Sequence, residues 1–273
     1  MAEPLEILKA HAYGNDFLYV PADEVARRGL DAVALARATC ARHTGVGGDG
    51  LILYTTTADG GTMRLINADG SAAEVSGNGL RGLAAILAED AGLAVGGTLH
   101  VTTAAGRKAL TLVSRDALGR PVFRADMGPV EDLARTRLEV AGETVDSVTL
   151  RVGNPQCVIL ADRLDEARLH RIGPALQVHP TFPDAVNVEL AQVEAPDRVR
   201  ILIWERGVGP TESSGTGSCA SAVAAAFAGG AAREVEVIAP GGSQHVEWDA
   251  ANTVWLTGWA EIVWRGRWLV RSA

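Results

Sequence analysis

The chain has 273 residues, of which 47% are hydrophobic and 21% are charged, and its net charge at pH 7 is −8. This composition is typical of a globular protein with a substantial core, and the length allows one large domain or two ordinary ones. The acidic balance and the lack of any Lys and Arg run argue against nucleic acid or an anionic membrane as a partner. The expected ligand is therefore a small molecule.

Cysteine and histidine usage points to a protein without a disulfide framework or a metal centre. Cys40, Cys157 and Cys219 have no regular spacing, which favours a reducing, cytoplasmic location. The start MAEPLEILK does not resemble a secretory signal, and no apolar run reaches the roughly 20 residues of a membrane span. No metal or nicotinamide cofactor is expected, because six histidines are scattered without ligand-like spacing: His11, His43, His100, His170, His179 and His245.

Short strand-like runs recur along the chain, and Gly, Asp, Asn or Pro bound most of them. They start with LEIL and DFLYV and continue through LILYT, MRLIN, LHVTT, ALTLV, PVFRAD, RLEV, CVIL, VRILIW, EVEVI, HVEW, TVWLT and AEIVWRG. Helical patterns cover residues 31–43, 80–92 and 218–230. Strands outnumber helices, so the sequence predicts an α+β fold of two pseudo-symmetric domains, each a mostly antiparallel sheet wrapped around a central helix.

The predicted domain boundary lies in the stretch ADMGPVEDLART, where a Gly-Pro pair precedes a new charged segment. We expect an N-terminal half-site domain of residues 1–126 plus 259–273. The C-terminal half-site domain is then residues 127–258.

Two serine-glycine turns, about half a chain apart, open the last two helices: Ser76-Gly-Asn-Gly and Ser214-Gly-Thr-Gly. A helix N-terminus has backbone N–H groups without partners and a positive dipole end, so it binds anions. A serine at this place is also an ordinary N-cap. The repetition favours two matching half-sites that hold one carboxylate, with glycines that allow close backbone approach.

Another glycine-rich stretch, GVGGDG at residues 45–50, fits the pattern G-x-G-x-x-G. A dinucleotide loop needs a strand before it and a helix after it, whereas here a helical pattern precedes and the strand LILYT follows. We interpret the stretch as a turn before a strand. Phosphate-loop and nucleophile-elbow motifs are absent from the sequence.

Six segments follow one another along nearly the whole chain and carry a resemblance to a known family. They are KAHAYGNDF (9–17), TGVGGDGLIL (44–53), NADGSAAEVSGNGLRG (67–82), GNPQCVI (153–159), AVNVEL (185–190) and WERGVGPTESSGTGSCA (204–220). Together they resemble the diaminopimelate epimerase family. The resemblance implies a two-domain, cofactor-independent isomerase with a small-molecule amino-acid substrate, which interconverts LL- and meso-diaminopimelate in lysine and cell-wall precursor synthesis and forms a homodimer.

The resemblance also implies roles for the polar residues of these segments. The distal carboxylate of the substrate would be held by Asn67, Asn187 and Arg206, since Arg suits a bidentate clamp. Asn15 and Asn154 would contact the amino-acid end, and Glu205 would neutralise the α-ammonium group and support the base. N–H groups after the two serines would bind the α-carboxylate, in a set formed by Gly77, Asn78, Gly215 and Thr216.

The chain departs from the family at its chemical centre. The family has cysteines at the positions of Ser76 and Ser214, where one thiolate takes the α-proton and the other thiol returns one on the opposite face, and a histidine at the position of Gln156. A helix N-terminus can lower a thiol pKa enough to ionise it near pH 7, but a serine hydroxyl needs an adjacent base. The catalytic positions are thus Ser76, Ser214, Glu205 and Gln156, while Cys219 is expected to pack inside its helix.

Three hypotheses follow. The first is a diaminopimelate epimerase whose turnover is strongly reduced by the serines. The second is an isomerase of the same fold that acts on another amino acid with a carboxylate base, for which Glu212, Glu74 and Glu205 are candidates. The third is an amino-acid-binding paralogue without turnover. The sequence leaves open whether the serines were introduced deliberately or belong to a natural paralogue, and Gln156 favours a natural one.

Overall fold

The computed structural model describes residues 3–73 and 76–269, and the chain forms two compact units. The first unit comprises Met1–Arg124 and Trp259–Ala273, and the second comprises Ala125–Gly258. For comparison, the sequence prediction divides the chain after residues 126 and 258. None of the helices within the described residues is long and apolar enough to cross a membrane.

The first unit is a sheet that surrounds one buried helix. Its strands are β1 (Leu5–Ala12), β2 (Asn15–Pro21), β3 (Gly50–Thr57), β4 (Gly60–Asn67), β5 (Ala72–Ala73), β6 (Thr98–Thr103), β7 (Gly106–Arg115) and β18 (Glu261–Trp268), and its helices are α1 (Ala22–Arg27), α2 (Ala32–Cys40) and α3 (Gly77–Asp90). The β1–β2, β1–β18, β3–β4 and β6–β7 pairs are antiparallel, whereas β2–β3 and β4–β6 are parallel. Helix α3 is buried throughout residues 78–88 and contacts β1, β2, β4, β6 and β18.

The second unit follows the same plan. After β8 (Pro121–Pro129), which spans the division, come β9 (Glu131–Val140), β10 (Glu143–Val152), β11 (Asn154–Leu160), β12 (Asn187–Ala195), β13 (Arg198–Glu205), β14 (Gly209–Thr211), β15 (Glu234–Ala239), β16 (Gly242–Trp248) and β17 (Thr253–Trp259), with helices α4 (Glu166–Gln177) and α5 (Gly215–Ala224). The β11–β12 and β13–β15 pairs are parallel, and β9–β10, β12–β13 and β15–β16 are antiparallel. Helix α5 contacts β10 to β13, β15 and β16. The predicted α+β class is confirmed.

The helices predicted from the sequence are present, with shifted ends, and two others were missed. Helix α2 begins after Asp31, whose side chain accepts a hydrogen bond from the Ala34 N–H (2.8 Å). The third predicted helix starts earlier, at Gly215, and its last turn, Ala225–Gly229, is π-helical. Helix α1 is only six residues long, and α4 contains a proline, a residue usually taken to end a helix.

Close packing between each central helix and its sheet depends on small side chains. In α5, Cys219 and its neighbours Ala220 and Val223 lie fully buried in the core of the second unit, so the expected packing role of this cysteine is confirmed. In α3, the Tyr19 hydroxyl of β2 donates a hydrogen bond to the Gly79 carbonyl (2.9 Å) and lies against Gly82. A side chain at Gly82 would overlap that hydroxyl.

We therefore expect Gly82→Ala to destabilise the protein by about 1–3 kcal/mol, because overpacking outweighs the better helix propensity of alanine. The measurement is the free energy of unfolding in urea, and the matched control is the same change in a Tyr19→Phe background. There the cost should be clearly smaller, since the hydroxyl that would be overlapped is gone. Equal costs in both backgrounds would contradict this account of the packing.

Candidate active site

The two serine-glycine turns have the same local geometry, each within its own unit. Ser76 has φ −117° and ψ 123° and accepts a hydrogen bond from the Gly79 N–H at 3.1 Å. Ser214 has φ −137° and ψ 126° and accepts one from the Gly217 N–H, also at 3.1 Å. Both serines are thus N-caps, and each cap satisfies one of the first-turn N–H groups that a helix leaves without an internal carbonyl.

The glycine three residues after each serine lies close to neighbouring side chains. A Cβ on Gly79 would lie 2.8 Å from the Ile52 Cδ1. A Cβ on Gly217 would lie 2.7 Å from the Glu189 Oε1 and 3.2 Å from the Ser214 Oγ. In the second unit the serine hydroxyl and a carboxyl group therefore border the same small space beside Gly217.

In the first unit, a tight hairpin and a network of side chains orient Asn15. Tyr13 (φ 56°) and Gly14 (φ 87°) form a two-residue turn between β1 and β2, and both have the positive φ that such turns need. The Asn15 Nδ2 donates to the Asp49 Oδ2 (2.7 Å), and the Asn15 Oδ1 accepts from the Asn78 Nδ2 (3.2 Å). Because both ends of the amide are engaged, its orientation is determined.

The GVGGDG stretch supplies Asp49 to this network. The stretch leads into β3, which begins at Gly50, so the interpretation as a turn before a strand is confirmed. The Arg42 Nη2 lies 2.6 Å from the Asp49 Oδ1 and 2.8 Å from the Asp16 Oδ1, and the Lys9 Nζ lies 2.7 Å from the Asp16 Oδ2. Burial alone would raise the pKa of Asp16, but hydrogen bonds from Arg42 and Lys9 outweigh it and lower the pKa. Sequence reasoning assigned no role to Asp49.

Asn67 lies at the end of β4, in a turn that closes on Ser71. Its Nδ2 donates to the Ser71 Oγ (2.9 Å), and the Asp69 Oδ1 accepts from the Ser71 N–H (2.8 Å). The Arg37 Nε donates to the Asp69 carbonyl (2.7 Å) and ties the turn to α2. The candidate base Glu74 lies outside the described residues.

In the second unit, four of the polar residues share one face of the sheet. Strand alternation places Gln156 on the side of Val158, Asn187 and Glu189 on the side of Ala191, and Glu205 on the side of Ile203. Val158, Ala191 and Ile203 pack in the core that contains α5. The four polar side chains therefore lie on the α5 side of β11, β12 and β13, where Ser214 begins the helix.

The hydrogen bonds of this cluster are mostly local. The Gln156 Nε2 donates to the Asn154 Oδ1 (2.5 Å), while the buried Gln156 Oε1 has no hydrogen-bond partner among the described residues. The Asn187 Oδ1 accepts from the Arg206 N–H (2.8 Å), and the Arg206 Nη1 donates to the Asp184 carbonyl (2.8 Å). These contacts place Asn187 beside the start of the turn that carries Arg206.

Glu189 is a buried carboxyl group that sequence reasoning missed. Its exposed fraction is 0%, and neither carboxyl oxygen has a hydrogen-bond partner within residues 3–73 and 76–269. Burial raises the pKa of Glu189 well above its usual value, and the charge of Glu205 adds to the effect. The signal was present in AVNVEL, because Glu189 is two residues after Asn187 and must share its face of the strand.

Two further buried residues support the Ser214 turn. The Ser218 Oγ donates to the Ser214 carbonyl (2.8 Å), and the Gln244 Nε2 on β16 donates to the Ser218 Oγ (3.1 Å). The Thr216 Oγ1 lies 3.4 Å from the Ser214 Oγ. Glu212, another candidate base, has an exposed side chain, and its carbonyl accepts from the Gly241 N–H (2.8 Å).

Comparison with known proteins identifies the family of the chain. The model of a family described as diaminopimelate epimerase matches residues 7–132 and 148–263. The chain belongs to the diaminopimelate epimerase family. The diaminopimelate epimerase of Desulfitobacterium hafniense is 39% identical, over 96% of this chain and 97% of that protein. The one from Desulforudis audaxviator is 40% identical, over 97% of this chain and 99% of that protein. Epimerases are isomerases, so the chain belongs to a family of isomerases.

Solved structures show the same fold at low sequence identity. A predicted epimerase from Pseudomonas aeruginosa superposes with a TM-score of 0.75 at 16% identity, over 98% of this chain and all (100%) of the other. A hydroxyproline epimerase from Agrobacterium vitis gives 0.68 at 17% identity, over 97% and 90% of the two chains. At this distance the similarity shows that the fold of the diaminopimelate epimerase family is shared more widely.

The capping geometry predicts a stability effect. Ser214→Ala should lower the free energy of unfolding by about 1 kcal/mol, because the Gly217 N–H loses its acceptor, whereas Ser214→Gly should cost only a few tenths. Urea unfolding measures both. Ser221→Ala is the control, since this buried serine of α5 has no hydrogen-bond partner for its hydroxyl in the described residues and should tolerate the change. A similar loss for alanine and glycine at 214 would contradict the cap.

Glu189 predicts a pH dependence of stability. Its pKa is raised in the folded protein, so above the ordinary glutamate value of about 4.3 the unfolded chain releases a proton that the folded chain keeps. The contribution of Glu189 is complete below that pH and is lost as pH rises toward the folded pKa. The stability of this chain minus that of Glu189→Gln should therefore fall as the pH is raised above about 4.

Thermal unfolding across that range measures the difference. Glu194→Gln is the control, because Glu194 lies on the same strand but is exposed and paired with Arg200. A stability difference between the unmodified chain and Glu189→Gln that does not change with pH would mean that Glu189 ionises as an ordinary carboxyl group.

Proposed function

We propose that the chain is an isomerase that interconverts LL- and meso-diaminopimelate by proton transfer at the α-carbon, with turnover strongly reduced by its two serines. The observation that carries the proposal is the pair of serine-capped helix starts with the same backbone geometry, in a chain 39–40% identical to diaminopimelate epimerases. At the start of α3 and of α5, a serine side chain lies beside the positive end of the helix dipole.

The proposed binding set divides between charged and amide groups. Asn67, Asn187 and Arg206 bind the distal carboxylate, and the hydrogen bond from Arg206 to the Asp184 carbonyl supports the orientation of its planar group. Asn15 and Asn154 contact the amino-acid end, and the fixed amide of Asn15 suits this role. Glu205 neutralises the α-ammonium group. The α-carboxylate accepts from the first-turn N–H groups of Gly77, Asn78, Gly215 and Thr216.

Serine at both reacting positions explains the expected loss of rate. The α-carbon is a weak acid, and a helix dipole that ionises a thiol does not ionise a hydroxyl, whose pKa is much higher. General acid and base groups typically contribute 10² to 10⁴-fold to a rate. Gln156 adds no titrating group at the position where the family has histidine. We also propose that the protein needs no cofactor, forms a homodimer and is cytoplasmic. Its reaction would belong to lysine and cell-wall precursor synthesis.

A second candidate is an amino-acid-binding protein without turnover. The observation that favours it is that both serine hydroxyls accept capping hydrogen bonds, so their oxygens stabilise the helix starts without any chemical step. This candidate shares the binding residues of the first proposal and differs only in predicting that the α-proton of the bound amino acid does not exchange.

The deciding experiment incubates the protein with LL-diaminopimelate in D₂O and follows the α-proton signal by NMR. The unmodified chain should exchange slowly, and the Ser76→Cys, Ser214→Cys double variant should exchange about 10² to 10⁴-fold faster. Arg206→Ala in the double variant is the control and should remove exchange, because the distal carboxylate loses its charged partner. Equal rates in the unmodified chain and the double variant would refute the role given to the serines.

Binding without exchange in either chain would favour the second candidate. Neither binding nor exchange would mean that the ligand is a different amino acid.

A further inference from the structure

We infer that Glu189 holds the exchangeable proton of the Ser214 half-site and passes it to the reacting carbon through the Ser214 hydroxyl. The inference rests on the proposed function, and it answers the need of a serine for an adjacent acid or base. The Glu189 carboxyl takes the place of a thiol as the titrating group at this position. Glu189 itself acts through Ser214 and not on the substrate.

The geometry beside Gly217 carries the inference. The Glu189 Oε1 and the Ser214 Oγ lie 2.7 Å and 3.2 Å from the single point where a Cβ of Gly217 would stand. The two oxygens therefore border the space beside Gly217, at a separation that a change of side-chain rotamer or one bridging water can close. Any residue larger than glycine at position 217 would fill this space and separate them.

Burial gives the Glu189 carboxyl its chemical character. The group has an exposed fraction of 0% and no hydrogen-bond partner for either oxygen in the described part of the chain, so its neutral form is favoured. The titrating groups that interact with it are Glu205 on β13, which disfavours its ionised form, and the Cys157 thiol on β11, whose pKa rises to about 12 through burial and in part through Glu189. Helix α5 contains no charged residue.

The proposed step conserves protons and moves no electron between groups. The substrate α-carbanion takes the hydroxyl proton of Ser214 as the Ser214 oxygen takes the carboxyl proton of Glu189, so a C–H bond forms and Glu189 becomes a carboxylate. In the reverse direction the Glu189 carboxylate accepts the α-proton through Ser214. A carboxylate that binds its proton tightly is a stronger base, although at neutral pH this direction starts from the less populated ionised form of Glu189.

Infrared spectroscopy tests the proton and its neighbour without any substrate. We expect the carbonyl band of a protonated, buried carboxyl group at pH 7 in the unmodified chain and its loss in Glu189→Gln. Ser214→Ala should shift the band, because the group that borders the carboxyl is removed. Glu194→Gln and Ser221→Ala are the controls and should leave the band unchanged. Absence of the band, or a band that Ser214→Ala does not move, would overturn the inference.

Proton exchange tests the transfer itself. In a Ser76→Cys background the thiol supplies one acid-base group, and the Ser214 half-site must supply the other. Glu189→Gln should then lower epimerisation of LL-diaminopimelate in D₂O by about 10²-fold or more, while Glu194→Gln has no effect. In the Ser76→Cys, Ser214→Cys background, where the thiol at 214 carries its own proton, Glu189→Gln should cost less than about tenfold.

The two backgrounds separate a chemical role from a structural one. An equal loss in both backgrounds would show that Glu189 only maintains the packing of α5 and would overturn the inference. If the double-cysteine chain with native Glu189 exchanges no α-proton, the proposed function fails instead. In that case the infrared measurement still tests the inference, because the position of the band depends on Ser214 and Glu189 and not on the identity of the substrate.

Discussion

The organising constraint of each unit is a helix that begins inside a sheet. A helix start has backbone N–H groups without internal acceptors, and in both units a serine side chain accepts from the third residue of the helix. The glycine at that third position admits neighbours that a side chain would displace. The positive end of the helix dipole lies at each start, and the glycines allow another molecule to approach the backbone N–H groups closely. These are the properties of an anion-binding site.

The surroundings of the two serines differ in their electrostatics. Near Ser76, the carboxylates Asp16 and Asp49 are paired with Arg42 and Lys9, and this charged network determines how Asn15 is presented. Near Ser214, the polar cluster contains the amides of Gln156 and Asn187 and the carboxyl groups of Glu189 and Glu205. Neither oxygen of Glu189 has a hydrogen-bond partner among the described residues, so burial dominates and favours its neutral form. An ionised network suits binding and orientation, whereas a neutral buried acid suits the transfer of a proton.

Much of the candidate site could be predicted from motifs, and the misses have physical causes. Short sequence segments contain the serine-glycine turns, Asn187 and Arg206. Their residue types and spacing are enough to predict their roles, because those roles depend on neighbours close along the chain. Asp49 was missed because its role depends on Arg42 and Asn15, which reach it from other parts of the chain. Helix α4 was missed because its proline predicts a break, although an Asp165 cap and four buried residues stabilise the helix.

The sequence by itself determined the α+β class, the family and the two serine-capped helix starts, because alternation, capping and turn chemistry act between residues close along the chain. Only the tertiary structure decided that Glu189 borders the same space as Ser214. That neighbourhood arises where β12 packs beneath the first turn of α5, more than 20 residues further along the chain. A carboxyl group acquires an unusual pKa from burial, and burial is a property of packing that no local pattern specifies.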